Sequence, residues 1–154
     1  MTDNFPESII RAKRALQTNI YSGKSKTLDE LSNGGFIEDR GDGSACYRLS
    51  NKEDRTLIFE SRFESGNLFL ATKVSDQEYD CLMQNDINTH GHTQWFYFRV
   101  QNTRAGLPVK FNILNYNKAD SMFNYGMKIT CYSEKKSEAE KIGWYRSCTD
   151  ISYF

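Results

Sequence analysis

Gln94-Trp95-Phe96-Tyr97-Phe98-Arg99-Val100 is the stretch whose reading decides the fold class. It is dense in aromatic and β-branched residues, which suit a pleated, packed surface. In an extended chain Trp95 and Tyr97 point one way, and Phe96, Phe98 and Val100 the other. Apolar residues on both faces predict a strand covered on both sides, near the middle of a sheet.

The same texture runs outward from it. Leu57, Phe59, Ser61 and Phe63 alternate with Ile58, Glu60 and Arg62, then Glu64-Ser65-Gly66-Asn67 supplies a turn. Residues 68–74 read as the partner strand, which predicts a hairpin. Residues 78–83 form a third strand. Asn102-Thr103-Arg104-Ala105-Gly106 is a turn, and residues 108–115 a strand with Val109, Phe111 and Ile113 on one face. Residues 128–132, 143–146 and 151–154 are shorter strand candidates. Residues 133–141 begin with the capping residue Ser133 and are rich in helix formers, so a helix is predicted there. In Asn124-Tyr125-Gly126-Met127 the glycine permits a positive φ in a structured connection.

Short strands joined by turns predict an all-β fold, an antiparallel β-sandwich over residues 52–154. Residues 1–51 are more mixed and read as a helical and loop extension. Asn4-Phe5-Pro6-Glu7 suits a helix start, and Ile9, Ala12, Leu16 and Ile20 follow at helical spacing. Asp39-Arg40-Gly41-Asp42-Gly43-Ser44 reads as a loop.

The 154 residues include 20 basic and 20 acidic side chains. Their charges cancel, which removes any global argument for nucleic acid or a membrane surface as partner. No apolar run is long enough for a transmembrane helix. The first residues lack the pattern of a signal peptide. Cys46, Cys81, Cys131 and Cys148 are widely spaced, with no Cys-x-x-Cys pair, and read as small buried hydrophobes of a cytosolic protein.

A set of ordered blocks narrows the reading. They are Phe59-Glu60-Ser61, Gly66-Asn67-Leu68, Tyr79-Asp80, Trp95-Phe96-Tyr97-Phe98, Arg104-Ala105-Gly106, Phe111-Asn112-Ile113 and Asn124-Tyr125-Gly126-Met127. Tyr132-Ser133, Gly143-Trp144 and Ile151-Ser152-Tyr153-Phe154 complete the series. In order and spacing it resembles the amino-terminal β-sandwich domain of the cytosolic carboxypeptidases, zinc enzymes that remove glutamates from protein tails such as those of tubulin. The resemblance implies a parent enzyme whose zinc sits in a following catalytic domain, held by a His-x-x-Glu pair and a distant histidine. No residue of this chain maps onto those positions, so no cofactor and no activity of its own are expected. The resemblance implies a non-catalytic accessory domain that packs on the catalytic carboxypeptidase domain and shapes its substrate cleft. It further implies a cytoplasmic setting with microtubule or cilium association, and a His-x-x-Glu motif encoded soon after Phe154. The alternative is a stand-alone protein- or microtubule-interaction module without a catalytic domain.

Candidate site residues are few. His90 and His92 are two apart and share a strand face, so they form a candidate metal pair with Asp86 as third ligand; a polar turn entering the Trp95 strand is the plainer reading. Gly23-Lys24-Ser25 lacks the earlier glycine of a phosphate loop, since Thr18 stands there. No nucleophile motif accompanies the histidines. Residues 87–119 contain no Asp or Glu but hold Arg99, Arg104, Lys110 and Lys118, a local excess of positive charge suited to glutamylated tubulin or other acidic tails. Solvated strand edges guarded by basic residues explain the same pattern. The rings of Trp95, Tyr97, Phe98, Phe111, Tyr116, Phe123 and Tyr125 read as core rather than as a stacking platform.

Overall fold

The computed structural model describes residues 19–22, 36–39, 45–89 and 91–153. They fall into two compact units, one through Asn117 and one from Lys118 onward.

The first unit is built on a six-stranded sheet. Its strands are β1 (Asn19–Ser22), β2 (Phe36–Asp39), β3 (Ala45–Arg48), β5 (Leu68–Ser75), β6 (Glu78–Met83) and β8 (Lys110–Ile113), in spatial order β2-β3-β1-β5-β6-β8. A ribbon of β4 (Ile58–Glu60) and β7 (Arg99–Gln101) forms a second sheet. Phe59 of the ribbon lies against Tyr79 of β6 and Phe111 of β8, with ring centroids 5.5 and 6.1 Å apart. Leu57, Leu68, Ala71, Cys81 and Met83 join Phe59 and Tyr79 in the core, and Phe98, Val100, Val109 and Ile113 pack on it. The fold is all-β and sandwich-like, as the strand pattern predicts. One pairing departs from the antiparallel rule: β6 and β8 run parallel, with Tyr79 opposite Phe111 and Cys81 opposite Ile113.

Three sequence-based expectations differ from the structure. Residues 57–63 and 68–74 do not form a hairpin, because β4 pairs with β7 while β5 pairs with β1 and β6. The period-two burial survives, since Leu57, Phe59 and Ser61 are all buried. The turn between them therefore carries the chain from one sheet to the other. Residues 94–98 lie outside any ladder. Trp95 and Tyr97 remain 38% and 36% exposed, so that stretch is covered on one face only. The strands covered on both faces are β5 and β6, where Ala71 and Thr72, and Tyr79 and Asp80, are buried in adjacent pairs.

Part of the amino-terminal region belongs to this sheet. Ile20, read at helical spacing, lies in β1, and β2 and β3 flank the predicted loop. The rest of the helix predicted from Asn4 lies outside the described residues. β1 bonds to β5, with Tyr21 opposite Ala71. Short strands between glycine-rich segments give too few residues for a period to show.

Asp54 ties β3 to the lead-in of β4. Its carboxylate accepts from the Tyr47 hydroxyl at 2.7 Å, the Ser50 N–H at 3.0 Å and the Thr56 N–H at 2.9 Å. Burial alone would raise this carboxyl, but the Thr56 N–H, the Tyr47 hydroxyl and the Ser50 N–H outweigh it and hold it far below the usual carboxylate range. Depression of the folded-state value means that Asp54 stabilises the fold above the ordinary carboxylate pKa of about 4, and that this contribution fades as pH falls. Urea midpoints of wild type and Asp54→Asn should therefore differ at neutral pH and converge in acid. A constant gap across that range would remove Asp54 from the acid response.

The second unit pairs β9 (Ile129–Cys131) with β10 (Tyr145–Ser147) and joins them through α1 (Glu134–Glu140). Ser133 caps α1 by accepting from the Lys136 N–H, and Lys141 closes it in the left-handed region, as the sequence predicts for 133–141. Gly126 ends the 3-10 turn Met122–Tyr125 with φ +90°. Residues 151–153, a predicted strand, are outside any ladder.

Candidate functional site

The residues singled out for chemistry are dispersed. His90 lies outside the described residues. His92 is exposed, and its carbonyl accepts from the Asp86 N–H at 3.0 Å. Asp86, the supposed third ligand, accepts from the Trp95 indole N–H at 2.9 Å. Among the described residues no three His, Cys, Asp or Glu side chains converge as a metal would require. The donor set therefore does not fit zinc within the described residues.

The four basic candidates sit on separate elements. Arg99 lies in β7, in register with Glu60 of β4. Lys110, at the start of β8, pairs with Glu78 at 3.1 Å across the parallel ladder. Arg104 lies in the β7–β8 loop and donates to the Lys52 carbonyl at 3.1 Å. Lys118 belongs to the second unit, where its carbonyl accepts from the Tyr153 hydroxyl. Lys110 is thus spent on a local ion pair. Of the other arginines, Arg62 pairs with Glu60 at 3.1 Å, while Arg146 donates to the Lys128 carbonyl.

Arg104 has neighbours that sequence reasoning missed. It lines a cleft of about 220 Å³ together with Arg55, Asp76, Gln77, Leu57 and Val109. Asn102 holds the cleft wall by donating to the carbonyls of Asp54 and Thr56, both at 2.9 Å. Asp76 is engaged by Lys73 at 2.7 Å, and Arg55 and Arg104 line the same partly apolar hollow. Arg55 and Arg104 are 49 positions apart in the chain, so no local motif reveals the pair.

The second unit has a different surface. Ser121 is its one buried residue among those described. Trp144 and Tyr132 are 58% and 48% exposed, and their rings pack at a tilt of 50° with centroids 5.6 Å apart. Met122, Tyr125 and Ile142 are exposed as well. Neither Trp144 nor Tyr132 enters the core, and Tyr125, expected in it, is on the surface held by a hydroxyl bond to Asp120 at 2.9 Å. Strands of three residues give no stable alternation from which to infer a buried face. Exposed rings of this size concentrated in 36 described residues have the character of an interaction surface.

Comparison with known proteins gives these features a family. Residues 59–151 match the model of the cytosolic carboxypeptidase N-terminal domain. Cytosolic carboxypeptidase 3 of Mus musculus is 48% identical over 101 residues, which is 66% of this chain and 10% of the relative. Cytosolic carboxypeptidase 2 of Homo sapiens is 47% identical over 106 residues, 69% of this chain and 12% of the relative. Cytosolic carboxypeptidase 2 of Xenopus tropicalis is 43% identical over 122 residues, 77% and 13% respectively. The chain thus spans about a tenth of the length of the curated relatives it matches. No solved structure matches it.

Proposed function

Because this chain belongs to the cytosolic carboxypeptidase N-terminal domain family, we propose that it is a non-catalytic accessory domain that docks on a carboxypeptidase domain and shapes its substrate cleft. The observation that carries this reading is the exposed ring surface of the second unit, with Trp144 and Tyr132 at its centre. A docked partner would remove these rings from water, at about 25 cal/mol per Å² of apolar surface covered. Aromatic anchors of this kind dominate the binding energy of many interfaces. Zinc, in this reading, belongs to the partner domain and supplies its hydrolytic chemistry there. This chain contributes the scaffold and the rim. A cytoplasmic setting follows from the same family membership.

The test uses the carboxypeptidase portion of a relative such as the human cytosolic carboxypeptidase 2, produced apart from its own amino-terminal domain. The chain should co-migrate with it on gel filtration, and Trp144→Ser should weaken that association at least about tenfold. Trp144 is surface-exposed, so thermal unfolding of the free variant should match wild type. Co-migration that is indifferent to Trp144→Ser and Tyr132→Ser would move the docking surface elsewhere. Absence of association would leave the stand-alone module.

One observation favours an additional role in substrate contact. The cleft lined by Arg55 and Arg104 beside Leu57 and Val109 suits a carboxylate on a short aliphatic arm, since it sets positive charge next to apolar surface. Glutamylated tails, of tubulin or another protein, carry that group. Charge reversal at Arg104 should weaken binding of a glutamylated peptide and leave an uncharged analogue unaffected.

A further inference from the structure

We propose that the second unit opens and closes independently of the first in the free chain, and that docking on a carboxypeptidase domain holds it closed; the latter half rests on the docking role proposed above. The unit has little of its own to hold it together. Its sheet is the single pair β9–β10, three residues a strand, each half-buried, exposed and half-buried in turn. A two-stranded ribbon in water is marginal unless a third strand or a packed element covers it. The element that joins the strands, α1, is seven residues long and has no buried residue. Isolated helices shorter than about 12 residues are marginal in water. The 3-10 turn at Met122–Tyr125 likewise has no buried residue.

Polar contacts do not make up the difference. Ser133 caps α1 at 3.3 Å, Asp120 accepts from the Tyr125 hydroxyl at 2.9 Å, and Arg146 donates to the Lys128 carbonyl at 2.7 Å, all at exposed positions. Water replaces exposed bonds of this kind, so their net worth is small. The Lys136 ammonium lies 4.7 Å from the centre of the Tyr145 ring, a contact that adds little where the cation is exposed. The first unit is the opposite case. β5 and β6 sit inside the six-stranded sheet and bury Leu68, Ala71, Tyr79, Cys81 and Met83. Local opening follows the distribution of buried apolar contact, so the two units should differ widely in the free energy that opens them.

The family says what covers the second unit. Residues 118–151 fall within the match to the amino-terminal domain, and the aligned part is only 10–13% of each relative. The carboxypeptidase portion lies in the remainder. Trp144, Tyr132, Met122 and Ile142 supply the apolar surface that such a cover removes from water. Part of the docking energy then goes into ordering the unit, and the apparent affinity scales with the fraction already closed.

Hydrogen exchange of the full chain, read by mass spectrometry of its peptides, tests both halves. In the free chain the amides of β9, β10 and α1 should exchange at least about a hundredfold faster than those of β5 and β6. With the carboxypeptidase portion of human cytosolic carboxypeptidase 2 in saturating excess, the second unit should slow at least about tenfold while β5 and β6 stay unchanged. Ala139→Gly, at an exposed position of α1, should speed exchange in β9 and β10 about fivefold in the free chain and leave β5 and β6 as they are. Equal protection of the two units, or an Ala139→Gly effect shared by both, would overturn independent opening. Association on gel filtration without slowed exchange would overturn the coupling and leave docking standing. Absence of association would overturn docking and the coupling with it.

Discussion

Phe59→Ala should unfold this protein under conditions where wild type is folded. The side chain is fully buried and touches three rings, with centroids 5.5 Å to Tyr79, 5.9 Å to Phe98 and 6.1 Å to Phe111. Those rings come from β6, from the stretch before β7 and from β8, so Phe59 joins the ribbon to the sheet. Truncating a buried phenylalanine costs about 3–5 kcal/mol, the transfer of the ring plus the cavity it leaves. A domain of this size holds about 5–15 kcal/mol in total. The neighbours cannot collapse freely into the gap, because β4 and β7 each contribute three residues to a fixed register. Denaturant unfolding followed by tryptophan fluorescence measures the loss. Phe59→Leu, which keeps most of the volume, should recover more than half of it. An alanine variant within about 1 kcal/mol of wild type would show that the ribbon and the sheet are not held together here.

The parts of this fold legible in the sequence are those stabilised locally. β6 occupies the predicted residues 78–83, and α1 follows Ser133 because capping and helix propensity act within one turn. The 94–100 stretch shows the opposite case. Its alternation is real, but pairing is a property of the neighbour, and here the neighbour is a side chain. Asn67 accepts from the Tyr97 N–H at 2.8 Å, donates to the Trp95 carbonyl at 3.0 Å, and its own N–H donates to the Tyr97 carbonyl at 3.0 Å. Asn115 does the same for Met83, accepting from its N–H and donating to its carbonyl, each at 2.8 Å. Asparagine amides that replace a strand leave no periodic trace. The candidate site divides likewise. The ordered blocks were enough to recognise the family, yet the cleft needs Arg55 and Arg104 from distant turns, and the exposed rings need the solvent boundary of a unit with almost no interior.

Gly66→Ala is expected to be nearly as damaging as loss of the Phe59 ring, for a reason that is purely steric. A Cβ on Gly66 would stand 2.0 Å from the Ser61 carbonyl oxygen, 2.8 Å from the Ser61 carbonyl carbon and 3.1 Å from the Phe63 oxygen. All three are backbone atoms, so no side chain can swing aside. The turn cannot widen at low cost either. The Gly66 N–H donates to Phe63 at 2.9 Å, the Ser61 hydroxyl donates to the Leu68 carbonyl at 2.9 Å, and Asn67 anchors residues 95–97. A shift large enough to admit a methyl group breaks several of these, each worth about 1 kcal/mol, and displaces Leu68 from the core. A loss of about 3 kcal/mol or more follows. Gly106→Ala is the control, since its Cβ meets nothing within 4 Å but its φ is +77°. Strain alone should cost it about 1–2 kcal/mol. Urea midpoints of the two variants separate crowding from backbone strain. Equal losses would mean that the turn between the two sheets yields to a methyl group, and that Gly66 serves chain flexibility rather than close approach.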